Sequence, residues 1–236
     1  MSDVFSSLPS RSDPLALRRR AFSLVELLVV IGIIALIAGG FGLALNDSGG
    51  NALATGQTTL AALVNTARAQ AAVNQTNARV LIYGARPPAG DAEKFLRLLQ
   101  VVREILPIGS NRWEPVGPPV SLPQGVYLVP TSTSGLLAAG VVWPTSPVLT
   151  STLSGPVGHG QPQTAPMGNN AAYYLQFGPD GTVVSPPLVG TAYWRLTVST
   201  AALASNVPAF NNSGAVRGVL IRPSGSVTFV NEATSF

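Results

Sequence analysis

Residues 22–45 read FSLVELLVVIGIIALIAGGFGLAL, and the only formal charge among them is Glu26. At about 1.5 Å per residue, a helix of this length extends about 36 Å, enough to cross a hydrocarbon core of about 30 Å. Arg18, Arg19 and Arg20 stand just ahead of it, closing a polar segment in which Pro14 discourages a continuous helix. Basic residues beside an apolar span favour the cytoplasmic side, so everything after Leu45 is expected to be exported. A cleaved secretory signal has a shorter apolar core and an A-x-A-like end, whereas this run ends in Gly39, Gly40, Phe41 and Gly42. Hydropathy alone therefore reads as a signal anchor.

Glu26 adds information to that reading. A carboxylate at the bilayer centre costs on the order of 2.5 to 3.5 kcal/mol, and less near the interface. Four residues from Phe22 place it roughly 6 Å along the helix, where head groups hydrate it in part. The position tolerates the charge, so the spacing from Phe22 is its informative feature.

Residues 18–30, RRRAFSLVELLVV, resemble the class III signal of type IV pilins and type II secretion pseudopilins. The resemblance implies that a prepilin peptidase cuts on the cytoplasmic side between Ala21 and Phe22 and methylates the new amine of Phe22. Residues 1–21 are then a leader with Arg18, Arg19 and Arg20 as its basic flank. Glu26 becomes the fifth residue of the mature chain, where the family's glutamate neutralises the amine of a neighbouring subunit. The residue before the cut is usually Gly in the family and is Ala21 here, which leaves cleavage efficiency open.

Physics supports such a pairing. In an effective dielectric of 20, an ammonium and a carboxylate 4 Å apart attract by about 4 kcal/mol, and removing one partner of a buried pair costs roughly 3 to 5 kcal/mol. A pair made between subunits fixes their axial offset. A pair made within one helix, at i and i+4, carries no assembly information. Gly32, Ala35, Gly39, Gly40 and Gly42 permit close helix packing, and the last three mark the weakest part of the helix. The resemblance implies a local unwinding there.

The whole chain has 236 residues, 46% hydrophobic and 10% charged, with no cysteine and one histidine. Disorder is excluded by that apolar content, and disulfides, thiolate nucleophiles and multi-histidine metal centres by the Cys and His counts. Four of the fourteen basic residues lie in the first twenty positions against Asp3 and Asp13, leaving ten basic and eight acidic residues beyond Arg20. The formal net charge of +4 is thus concentrated at the N-terminus and is a weak nucleic-acid signal.

After a polar break at residues 46–50, apolar positions at Leu53, Leu60, Leu63, Val64, Ala67 and Ala71 repeat with helical spacing. The amphipathic helix is expected over 46–77 and the exported β-rich domain over 78–236. Residues 79–83 (RVLIY) and 94–104 are expected as strands. Residues 173–177 and 182–185 flank Gly178-Pro179-Asp180-Gly181, and residues 216–221 and 226–230 flank Arg222-Pro223-Ser224-Gly225, so each set forms a hairpin. Residues 193–198 supply a further strand. The expected fold class is α+β: a long N-terminal membrane-spanning helix whose second half packs on an antiparallel sheet. Residues 60–72, 77–81, 177–181 and 222–225 resemble the helix-to-strand passage and turns of H-type pseudopilins and FimT-like minor pilins (the GspH/FimT group).

Residues 130–170 are rich in Ser, Thr, Pro, Gly and Ala and are expected as a flexible surface loop, or as a partner-binding loop with Trp143, Leu136 and Leu137 as contacts. His159 lies inside this stretch as a solvated side chain. Asp91 and Glu93 form the one close acidic pair, without calcium-loop spacing. No phosphate loop, serine elbow or zinc motif occurs. No enzyme, cofactor or metal is expected. The leading expectation is a pilus or pseudopilus subunit of the inner membrane, its C-terminal domain in the periplasm, with a prepilin peptidase, other subunits and an inner-membrane assembly platform as partners. Two alternatives stand beside it. One is a DNA-binding minor pilin using Arg195, Arg217 and Arg222, although nucleic acid is not the favoured partner; the other is a single-pass membrane protein that does not polymerise.

Overall fold

The computed structural model describes residues 25, 27–31, 33–34, 48–87, 89–110, 112–146, 149, 152–153, 172–185 and 193–236. The chain divides into two compact units, Met1–Asn46 and Asp47–Phe236. In the first, residues 25, 27–31, 33 and 34 are helical.

The second unit opens with helix α1 (Ser48–Asn74). Its buried positions, Leu53, Gln57, Leu60, Ala61, Val64, Ala67 and Ala71, recur at three- and four-residue steps and so form one face. On its outer face, the hydroxyls of Thr55, Thr58 and Thr66 donate to carbonyls four residues back at 2.8–2.9 Å. Gln75, in the left-handed region at φ 51°, ends the helix, and Thr76 N–H donates to Ala71 O at 3.1 Å. The polar break expected at 46–50 is shorter than the sequence indicates. Ser48, Gly49 and Gly50 are already helical, because the packed face that starts at Leu53 outweighs a glycine cost of about 1 kcal/mol each.

Among the described residues twelve strands follow: β1 (Ala78–Tyr83), β2 (Leu98–Glu104), β3 (Trp113–Pro115), β4 (Val120–Ser121), β5 (Val126–Leu128), β6 (Thr152–Leu153), β7 (Ala172–Phe177), β8 (Trp194–Thr200), β9 (Ala202–Ala204), β10 (Val207–Ala209), β11 (Val216–Ile221) and β12 (Val227–Val230). The first sheet runs β3-β2-β1-β7-β6, with β4 also on β2; the second runs β12-β11-β8-β5; β9 and β10 form a separate ribbon. These strands pair antiparallel throughout. The α+β architecture expected from the sequence is the one observed.

α1 packs on both sheets, touching β1, β2 and β7 of the first and β5, β8, β11 and β12 of the second. Register places Val80, Val101 and Leu175 side by side on one face, and all three join Leu60, Val64, Ala67 and Ala71 in a single core. Toward the second sheet, Gln57 is the polar member of the buried helix face. Its Nε2 donates to Gly218 O at 2.7 Å and to Val230 O at 2.8 Å.

Two backbone links join the sheets. Leu96, held at φ 57°, donates its N–H to Tyr83 O and accepts from Leu128 N–H, both at 2.9 Å. Val183 N–H donates to Pro223 O at 2.9 Å, bringing the two expected hairpin turns together. There, a β-carbon on Gly225 would lie 2.6 Å from Gly181 O and 2.8 Å from Arg68 Cδ, so the close approach requires glycine.

The hairpins hold. Phe177 bridges Val183 across the first turn, and β11 pairs with β12 across the second. Residues 94–97 depart from the strand expected over 94–104 and instead form a turn, with Phe95 N–H on Asp91 O and Leu98 N–H on Lys94 O. The described part of the 130–170 stretch also departs from expectation. Leu136, Trp143 and Leu149 are buried core residues, and Trp143 meets Phe210 edge-on at 6.1 Å. They join the same core as the helix and sheets, and Ser146 Oγ accepts from Thr197 N–H of β8 at 2.9 Å. These side chains contribute to the packed core.

Candidate functional site

Val25, Leu27, Leu28, Val29, Val30, Ile31, Ile33 and Ile34 are all helical, all apolar and 46–70% exposed. A helix that is apolar around its whole circumference has no polar face to turn to water, so it requires lipid or other helices around it. Among the described residues no helix is long and apolar enough to cross a membrane. The remaining residues of the 22–45 stretch, together with Ala21, Phe22, Glu26, Arg18, Arg19 and Arg20, lie outside the described residues, as does His159.

Several of the titratable groups described in the second unit are held in turns and in pairs. Among the described residues there is no group of three or more His, Cys, Asp or Glu side chains placed to hold a metal. Asp91 is paired with Lys94 at 3.0 Å. The hydrogen bond from Lys94, and then the Glu93 N–H, hold the Asp91 carboxyl below its usual range, while Asp91 raises Lys94. Asp180 is lowered by the N–H and then the hydroxyl of Thr182, which close the turn. Both acids do structural work in turns. Glu104 is buried, accepting from Asn77 Nδ2 at 2.6 Å and from Gly109 N–H at 2.9 Å, and Arg103 pairs with Glu114 beside it.

The three arginines of the nucleic-acid alternative differ in availability. Arg195 donates through Nε to Thr145 O at 2.7 Å and is partly buried. Arg217 is half-buried on β11, and Arg222 is exposed in the β11–β12 turn.

Sequence reasoning missed two arginines. Arg79, 8% exposed, is stacked between Trp113 and Tyr174, its guanidinium carbon 3.8 and 4.3 Å from the ring centroids. Its Nε donates to Gln176 Oε1 at 2.8 Å, and desolvation lowers its pKa. Alternation in β1 placed this residue on a face but could not foretell two rings from distant strands. Arg86 borders two cavities. Neither arginine stands in a sequence motif.

Residues 17–42 match the model of the prokaryotic N-terminal methylation motif. No curated protein matches the chain. Among solved structures, the type IV minor pilin FimU of Pseudomonas aeruginosa (strain PAO1) matches at 12% identity and a TM-score of 0.35, covering 76% of this chain and 89% of that one. The match at residues 17–42 supports the resemblance to type IV pilins and pseudopilins, and what is shown of the chain's kinship is this motif, carried ahead of an α+β unit.

Proposed function

We propose that this chain is a structural subunit, a minor pilin or pseudopilin, of a type IV pilus or a type II secretion pseudopilus. A prepilin peptidase cuts between Ala21 and Phe22 and methylates the Phe22 amine. The processed chain waits in the inner membrane with its α+β unit in the periplasm, and an assembly platform then draws it into a fibre with other subunits. The observation that carries this reading is the exposed, wholly apolar set of helical residues 25, 27–31, 33 and 34 inside the methylation motif matched at residues 17–42.

The mechanism is assembly, with no chemistry by the chain itself. Lipid and neighbouring helices are comparably apolar, so exchanging one for the other supplies little hydrophobic driving force. Pairing between the Phe22 amine of one subunit and the Glu26 carboxylate of the next supplies about 4 kcal/mol and a fixed axial offset. The test is Glu26→Ala. It leaves membrane insertion and leader removal intact, read by N-terminal sequencing, and abolishes incorporation into fibres. Normal fibre yield from that variant, or native protein that still begins at Met1, refutes the reading.

A further inference from the structure

We propose that the cleft crossed by Arg86 is a docking groove for an extended segment of a partner protein carrying one carboxylate side chain between apolar residues. The proposal is independent of the filament reading. Two cavities adjoin here. One, of about 130 Å³, is lined by Arg86, Phe95, Leu136, Leu149 and Tyr173 among others. The other, of about 200 Å³, is lined by Arg86, Leu136, Ala204, Val207 and Pro208 among others. Arg86 and Leu136 belong to both, so they form the shared wall, and the exposed Arg86 stands at its solvent side.

The charge at this wall has no counterpart. Arg86 donates one hydrogen bond, from a terminal nitrogen to Ser134 O at 3.2 Å, which holds the guanidinium in place. Its remaining N–H groups are turned to no carboxylate: the ion pairs among the described residues are Asp91–Lys94 and Arg103–Glu114, and neither cavity has an acidic lining residue. A guanidinium fork with no acidic neighbour selects a carboxylate over a neutral side chain. The apolar recesses, each sized for an aliphatic side chain or two, select the flanking residues. Because they lie on both sides of Arg86, the occupant passes across it. A carboxylate at a chain end would fill one recess and leave the other empty.

The test uses two capped peptides that differ only in having aspartate or asparagine between leucines. Each is labelled and titrated into the full chain held in lipid nanodiscs, with fluorescence anisotropy as the readout. The aspartate peptide binds about threefold more tightly than its twin, the increment expected of one pair at a solvent-exposed guanidinium. Arg86→Gln removes that preference, and Leu136→Ala weakens both peptides alike. Arg222→Gln, an exposed arginine in a turn, leaves the preference unchanged. Equal affinity of the twins, no binding of either, or a preference that survives Arg86→Gln overturns the proposal.

Discussion

Gln57 offers the sharpest test of how α1 is held. Its amide is buried, 4% exposed, and donates to Gly218 O and Val230 O at 2.7 and 2.8 Å. Replacing it with leucine keeps the volume and loses two neutral hydrogen bonds, a cost of about 2 kcal/mol at about 1 kcal/mol each. Replacing it with glutamate keeps the shape but turns a carboxylate toward two carbonyl oxygens. The acid must then be protonated in the folded state, donating one bond of the two. From an unfolded pKa of about 4.3, holding the proton at pH 7 costs about 3.7 kcal/mol, and the lost bond brings the total to about 5 kcal/mol. The folded pKa is raised, so the deficit grows as pH rises above about 4.3 and shrinks to about 1 kcal/mol below it. The assay is urea unfolding followed by tryptophan fluorescence, each variant compared with wild type at the same pH. Trp113, Trp143 and Trp194 are the three tryptophans, all buried in the unit that contains α1. A Gln57→Glu deficit equal to that of Gln57→Leu at pH 7, or one that does not narrow toward pH 4, refutes the account of this anchor.

Gly225→Ala forces a side chain into a left-handed residue at φ 77° and against Gly181 O and Arg68 Cδ, at 2.6 and 2.8 Å; a loss of about 2 kcal/mol or more is expected in the same unfolding assay. Gly109→Ala, at φ 87° with nothing within 4 Å of the new carbon, is expected to lose only about 1 kcal/mol, so equal losses at the two sites would show that the contact with the neighbouring turn is immaterial. Carboxyl NMR titration is expected to place Asp91 below the ordinary aspartate range, and Lys94→Ala to move it up. The pair's contribution is present above the unfolded pKa of about 3.9 and is lost as pH falls through the lower folded value. It is small, because both side chains are nearly half exposed.

Local chemistry decided which parts were legible in the sequence. The strands β1, β7, β8, β11 and β12 are four to seven residues long, and β7, β11 and β12 are bounded by turns whose glycines are required, Gly181 at φ 76° and Gly225 at φ 77°. The strands β3, β4, β5, β9 and β10 are two or three residues long, too short for alternation to register. Residues 130–149 misled for a different reason: without periodicity they read as loop, yet no Asp, Glu, Lys or Arg occurs between residues 115 and 179. That absence of charge was the available sign that Leu136, Trp143 and Leu149 go inside. The methylation motif was legible because it is contiguous. The Arg86 cleft was not, because residues 86, 136, 149, 173 and 207 meet only in the fold.

The two units answer the same solvent in opposite ways, and that contrast bears on which residues control assembly. In the unit 47–236, even the polar member of the buried helix face, Gln57, is matched to acceptors within the same unit. The helical residues 25, 27–31, 33 and 34 are all apolar, with every one of these side chains about half exposed or more. Apolar burial therefore commits this helix to a membrane or a bundle without distinguishing between them, since Leu, Val and Ile meet similar surroundings in each. On the filament reading, discrimination must come from groups that lipid cannot satisfy. Within residues 22–45 the sole such charge is Glu26, with the amine freed at Phe22 as its counterpart. A substitution among the aliphatic positions that preserves hydropathy should thus be tolerated for insertion and assembly alike, while a change at one carboxylate separates the two.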